Sequence, residues 1–245
     1  MRTRIPSLLL VLAAALALVA FAGCGSSKKS SATTAAGAPA TDTAASTAAT
    51  TSTTSQNGPC KSVAQPSPKG PQHLPKPTLK LDPSKQWTAT MVTNCGTFVI
   101  KLDVKRAPKT SASFASLSEK GFYDNLIFHR IAPGFVIQGG DPQGDGSGGP
   151  GYHVVEAPPQ DLKYTQGVVA MAKTGTDPPG ASGSQFFVVT APDAQLPAEY
   201  ALLGRVVKGY QVVETIANLP LQSNAPGGSP PVDPVVISKV TIKGR

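Results

Sequence analysis

The sequence predicts a mainly β domain, a closed barrel or a sandwich, running from Trp87 to Arg245. Three observations predict it. Apolar and polar residues alternate through several short runs, the period of a strand with one buried face. Gly, Pro, Asn and Asp separate those runs, as turns require. Only two stretches carry helical spacing. Many short strands with two helices suit a barrel or a sandwich, and periodicity does not choose between them.

The chain ahead of this domain differs in composition. Residues 1–23 read as an export signal: Arg2 and Arg4 are followed by an unbroken apolar run from Leu8 to Phe21, then Ala22 and Gly23. The run is short for a spanning helix, which needs about 20 apolar residues. The ending Phe21-Ala22-Gly23-Cys24 resembles a bacterial lipobox, which implies a lipid on the Cys24 thiol and a domain held at the extracytoplasmic face of the cell membrane. A two-chain lipid anchors firmly where one acyl chain is marginal. Residues 24–58 are nearly all Ser, Thr, Ala and Gly, too polar to offset the entropy of ordering, so a disordered tether is expected. Residues 59–86 are rich in Pro and Lys and read as an extended spacer.

From Trp87 the elements follow in order. Trp87, Ala89 and Met91 alternate with Thr88, Thr90 and Val92, Asn94-Cys95-Gly96 turns the chain, and Phe98, Ile100 and Leu102 continue the alternation. This predicts a hairpin. Pro108 suits the first turn of a helix; Thr110, Phe114 and Leu117 share its face and Gly121 ends it. Further strands are expected at 126–131, 135–138, 167–172, 185–190, 201–206 and 235–242. A second helix is expected at 209–218, with Val212, Ile216 and Leu219 on one face and Pro220 as its stop. No heptad or broad apolar patch is evident, so a monomer is expected.

Charge and cysteine usage narrow the function. The formal charge is +8. Residues 87–245 hold 13 Lys/Arg and 12 Asp/Glu, so the domain itself is nearly neutral. A nucleic-acid reading would need a basic face on the domain, and the sequence gives no sign of one. If one of the three cysteines, Cys24, carries lipid, Cys60 and Cys95 remain as a pair. Outside the membrane a disulfide between them is expected, with two free thiols as the alternative.

The most informative run is Phe128-His129-Arg130-Ile131-Ala132-Pro133-Gly134-Phe135-Val136-Ile137-Gln138-Gly139-Gly140-Asp141. It brings a cation, an amide and aromatic carbon into one neighbourhood across a Pro-Gly turn. That inventory suits binding and polarising a neutral amide rather than cutting it. The run resembles the active-site segment of the cyclophilins, the peptidyl-prolyl cis-trans isomerases. Ala107-Pro108-Lys109-Thr110, Gly121-Phe122-Tyr123-Asp124, Gly167–Ala172 and Gly183-Ser184-Gln185-Phe186-Phe187 match in the same order. The resemblance implies a closed eight-stranded antiparallel β-barrel capped by two α-helices, with no cofactor and no metal. It implies catalysis by Arg130 and Gln138, with Phe135, Val136, Phe187 and Leu196 lining an apolar pocket for the proline ring. Gln185 would bind substrate amides or orient Arg130, backbone groups near Ala172 and Lys173 would pair with an extended peptide, and Tyr200 stands on the rim.

This chain departs from the family pattern at the rim. Val136 stands where Met is frequent, and ungapped counting puts Gln195 where many members have Trp and Tyr200 where they often have His. Loss of that indole should weaken cyclosporin binding. Other motifs carry less. Gly144-Asp145-Gly146-Ser147-Gly148-Gly149 matches G-x-G-x-x-G but no helix follows Pro150, so it reads as a flexible loop beside the cleft. His73, His129 and His153 are too scattered for zinc, and Ser182 and Ser184 lack a nucleophile elbow. The expectation is an anchored isomerase acting on X-Pro bonds of exported proteins. The alternative is a non-catalytic chaperone or envelope scaffold that binds proline-containing peptides.

Overall fold

The computed structural model describes residues 59–245, so the expected signal sequence, the Ser/Thr/Ala-rich tether and Cys24 lie outside the described residues. The elements, in chain order, are β1 (Trp87–Thr93), β2 (Gly96–Leu102), α1 (Pro108–Glu119), β3 (Leu126–Ile127), β4 (Arg130–Ala132), β5 (Val136–Gly139), β6 (Val154–Val155), β7 (Val168–Met171), β8 (Ala181–Ser182), β9 (Phe186–Val189), β10 (Leu202–Lys208), α2 (Tyr210–Ala217) and β11 (Val236–Gly244). Nine strands form one antiparallel sheet in the order β3-β11-β1-β2-β10-β7-β9-β5-β4, and β6 pairs with β8.

The first hairpin forms as its alternation dictates. Ala89 lies opposite Ile100 and Met91 opposite Phe98, all four fully buried. The expected strand at 126–131 is instead two. β3 pairs with β11, and β4 with β5. Only Phe128 and His129 lie between them, and they are buried. The two end strands of the sheet are thus consecutive in the chain, which curls the sheet around an interior filled by Phe98, Ile100, Phe114, Phe128, Ile131, Ile137, Phe186 and Val188. This break makes nine strands where eight were expected.

Helix α1 has no exposed face along its middle. Every residue from Thr110 to Ser118 is buried. Serine and alanine are small enough for this, and they let Phe114 reach Tyr123 (ring centroids 4.7 Å) and Phe186 (5.9 Å). No side chain of its own caps the helix. Glu156 does so from across the fold, accepting from the N–H groups of Lys109 at 3.0 Å and Thr110 at 2.8 Å, where the helix dipole favours an anion. Helix α2 starts after Gly209, whose φ of +75° and close approach to the Thr97 carbonyl exclude a side chain. It buries Val212, Val213 and Ile216.

The Pro/Lys-rich segment 59–86 contains no helix or strand, but it lies along the domain. Cys60 is bonded to Cys95. Leu81 is buried in the core, and Leu74 and Leu79 pack against it.

Candidate active site

Strands β5, β7 and β9 are apolar at nearly every position, and every residue of β7 and β9 is buried. A strand pleat sends alternate side chains to opposite faces. Ile137, Val169, Phe186 and Val188 point into the core enclosed by the curled sheet. Val136, Val168, Ala170, Phe187 and Val189 must therefore point outward, and they form a second apolar cluster with Leu162, Tyr164 and Ala191. Phe135, Ala172, Leu196 and Tyr200 pack on it, partly exposed.

The turn between β4 and β5 aligns the polar part of this outer face. Phe135 N–H donates to the Ala132 carbonyl at 3.0 Å across Pro133-Gly134, and Gly134 has φ +66°. Proline then glycine at the two central positions suits a turn that needs positive φ at the second. Its register sets Ala132 opposite Val136 and Arg130 opposite Gln138. Gln138 is in turn opposite Phe187, and Phe187 opposite Ala170. Arginine, glutamine and phenylalanine thus stand in one row across three strands.

Hydrogen bonds orient this row. Arg130 Nη1 donates to Gln138 Oε1 at 2.9 Å, and Arg130 Nε to the Gly227 carbonyl at 2.5 Å. Gln138 Nε2 donates to Gln185 Oε1 at 2.9 Å. Gln185 Nε2 donates to the carbonyls of Gly146 and Gly148, both at 2.8 Å. Each amide accepts on the side toward Arg130 and donates on the side toward the loop, so the two glutamines have a fixed sense. Among the described residues no carboxylate lies within ion-pair distance of Arg130. Burial draws its pKa below the ordinary value, with Tyr200 opposing. A guanidinium stays charged through neutral pH regardless. The site therefore offers a half-buried, unneutralised cation held by neutral acceptors.

The Gly-rich segment is anchored rather than loose. The Asp141 carboxylate accepts from the N–H groups of Gln143 at 2.8 Å, Asp145 at 3.0 Å and Gly146 at 2.5 Å. Asp141 is 1% exposed, and a Cβ at Gly148 would collide with it. The loop thus wraps a buried anion and presents the two carbonyls that hold Gln185.

The remaining expected residues divide. Phe135, Val136, Phe187, Leu196 and Tyr200 share the outer cluster. Tyr200 meets Phe187 edge to face at 5.5 Å. Gln195 is an exposed loop residue with φ +53°. The Ala172 N–H donates to the Gln185 carbonyl at 2.9 Å, so it serves the fold rather than a peptide. The Lys173 side chain folds back to within 3.4 Å of Glu199 and over the Tyr200 ring at 5.5 Å. Together with Gln138, Gln185 and Ser147–Gly149, Ala172 and Lys173 line a recess of about 250 Å³.

Sequence reasoning missed three contributors. The Gly227 carbonyl comes from an aperiodic loop. Asp141 could have been suspected from its place between two glycine-rich stretches. Tyr164 fixes the rim: its hydroxyl donates to the Tyr200 carbonyl at 2.6 Å and accepts from the Tyr200 N–H at 3.0 Å. Burial, the largest effect, raises its pKa to about 12.

Comparisons with known proteins agree with this geometry. The family model described as cyclophilin type peptidyl-prolyl cis-trans isomerase/CLD matches residues 88–242. Peptidyl-prolyl cis-trans isomerase B of Streptomyces anulatus is 38% identical over 180 residues, covering 66% of this chain and 99% of that protein. A peptidyl-prolyl cis-trans isomerase of Arabidopsis thaliana is 37% identical over 134 residues, covering 53% of this chain and 80% of that protein. The crystal structure of a cyclophilin type isomerase from Cryptosporidium parvum superposes with a TM-score of 0.59 at 34% identity, covering 65% of this chain and 99% of that one. Family match, relatives and fold together establish that this chain belongs to the cyclophilin-type peptidyl-prolyl cis-trans isomerases.

Proposed function

We propose that this protein accelerates rotation about X-Pro peptide bonds in exported proteins, with Arg130 as the group that polarises the prolyl amide. The bond is slow to rotate because conjugation gives it a barrier of roughly 18–20 kcal/mol. At the twisted transition state conjugation is lost and the proline nitrogen gains a usable lone pair. A donor aimed at that nitrogen stabilises the transition state more than the ground state. One observation carries this reading: Arg130 is fixed by Gln138 and Gly227, unpaired with any described carboxylate, in one row with Phe187. Phe135, Phe187, Leu196 and Tyr200 supply apolar surface for the proline ring. A similar Cryptosporidium parvum enzyme was crystallised in the presence of the dipeptide Ala-Pro, which supports a proline-containing ligand here. No covalent intermediate is required.

We read the curled sheet as a closed barrel of eight strands. What supports this is that β3 and β4, at its two edges, are one run of chain interrupted at Phe128-His129. Export and anchoring through a lipid on Cys24 rest on the sequence. The Cys60–Cys95 bond is the kind of cross-link that persists outside the reducing cytosol. Replacing Cys24 by Ser should release the protein from membranes, and retention of that variant would count against the anchor.

The deciding measurement is isomerisation of a short Xaa-Pro peptide by wild type and Arg130→Ala. Losing one electrostatic donor should cost about a hundred- to a thousandfold in kcat/KM. No wild-type rate above background would remove the activity and leave a peptide-binding scaffold. A rate indifferent to the substitution would remove the mechanism.

A further inference from the structure

The segment 59–86 has no part in the chemistry derived above, yet its route is specific. Its start is fixed to the β1–β2 turn: Cys60 is bonded to Cys95, Lys61 N–H donates to the Asn94 carbonyl at 2.9 Å, and Asn94 Nδ2 donates to the Lys61 carbonyl at 2.8 Å. Further on, Lys69 N–H donates to the Pro142 carbonyl at 2.8 Å. The Lys69 ammonium donates to the carbonyls of Phe122 at 2.8 Å and Gly121 at 3.3 Å. Leu74 N–H then donates to the Pro150 carbonyl at 2.8 Å. At Gly151 (φ +89°) the two backbones meet so closely that a Cβ would lie 2.7 Å from His73 Cα and closer still to the Gln72 carbonyl.

Pro142 and Pro150 flank the loop whose Gly146 and Gly148 carbonyls hold Gln185. That loop contains Gly144, Gly146, Gly148, Gly149 and Gly151. Glycine loses more backbone freedom on ordering than any other residue. The Asp141 carboxylate orders the stretch through Gly146. Beyond it, the hydrogen bond to the Pro150 carbonyl and the close approach at Gly151 come from the strap.

We propose that residues 60–74 form a positioning strap for the isomerase site, seated on the 141–151 loop and clasped by the Cys60–Cys95 disulfide. The proposal rests on the assignment of Arg130 as the polarising group. The strap sets where the loop carbonyls stand, these set the Gln185 amide, Gln185 sets Gln138, and Gln138 sets Arg130. Opening the clasp leaves the strap start to fray as a free terminus does. Displacement of the loop then passes along four hydrogen bonds to the guanidinium. Misplacing a catalytic group by 1 Å can cost on the order of a hundredfold. The activity is thereby tied to an oxidising compartment.

The test uses the full chain in four further forms: Lys69→Ala, Lys69→Arg, Cys60→Ser with Cys95→Ser, and Lys69→Ala on that double variant. Kinetics with a tripeptide and a long peptide are measured where circular dichroism shows every form folded. The Gln185 side-chain amide is followed by NMR. The combined variant should lose roughly tenfold in kcat on the tripeptide, with KM within about twofold, because orientation rather than binding is disturbed. Its Gln185 amide signals should move, and Lys69→Arg should behave as wild type. Unchanged kcat beside an active wild type would overturn the strap and leave the function standing. Loss confined to KM on the long peptide would also overturn it, making the strap a wall for substrate: Pro71 and Gln72 line a recess of about 370 Å³ that shares Ser147–Gly149 with the one beside Gln138. If wild type proves inactive, the assignment of Arg130 falls and the strap's catalytic role with it. The Gln185 signals would then still report on the contact itself.

Discussion

The two sides of the sheet are built differently. On β1, β2 and β11 burial alternates or nearly so, with Ala89, Met91, Phe98, Ile100 and Val240 inside and Thr97, Lys101, Lys239 and Thr241 outside. On β5, β7 and β9 both faces are covered. One-sided burial is all a curled sheet needs for stability, since its interior is filled from one face. The second cluster, around Phe187 and Tyr164, is additional. It leaves Phe135, Leu196 and Tyr200 partly exposed beside Arg130. An apolar patch rimmed by oriented polar groups marks a binding surface. The inner face carries the stability, and the outer face of one side carries the residues of the proposed site.

Neighbouring phenylalanines give the sharpest way to break this division. Phe186→Ala empties a site enclosed by Phe114, Tyr123 and Phe128 and should lower the unfolding free energy by about 3–5 kcal/mol. Phe187→Ala should cost clearly less stability, because Tyr200 and Phe135 beside it can relax, and should raise KM. Denaturant unfolding and peptide kinetics on both variants check this; an equal stability cost would erase the distinction. Next in size, Gln138→Leu removes the acceptor of Arg130 Nη1. A hydrogen bond to a charged group is worth about 1.5–3 kcal/mol, so kcat should fall roughly ten- to a hundredfold with little change in melting temperature.

The smallest effect lies at the seam between β3 and β4. His129 is buried, and its ring nitrogens have no partner among the described residues. Burial lowers its pKa, with Asp141 opposing and Arg130 adding to the shift. A depressed folded-state pKa means the unfolded chain takes up the proton first. The stability linked to His129 is therefore complete above its unfolded pKa of about 6.5 and is lost as pH falls through the folded value. The melting temperature of wild type should drop more steeply from neutral to mildly acidic pH than that of His129→Leu. Parallel curves would show that His129 does not sense pH.

Much of the one-sided half was legible from alternation. The hairpin at Trp87–Leu102, the helix entry at Pro108 and the strand ending the chain lie close to where the pattern puts them. The double-covered half was legible as strands, but not as strands with two buried faces, because a continuous apolar run has no period to read. The break at Phe128-His129 had no local signal; it arises because the chain changes partner there, from β11 to β5. Strands β6 and β8, two residues each, are too short to show any pattern.

The sequence by itself placed Arg130 and Gln138 on two short strands joined by a Pro-Gly turn. A Pro-Gly turn between two short strands fixes its own register, and register decides which side chains share a face. It also supplied the cation, amide and aromatic residue types on which the proposed mechanism rests. Only the tertiary structure decided that Asp141 gathers the glycine-rich loop, that Gly227 accepts from Arg130, that Tyr164 pins Tyr200, and that the proline-rich lead-in lies on the domain as a strap. These contacts join residues 36 to 97 positions apart, or run through backbone groups every residue possesses. Apart from the glycines that flank Asp141, neither kind leaves a mark in composition or periodicity, because side-chain identity does not encode where a carbonyl will point once distant segments meet.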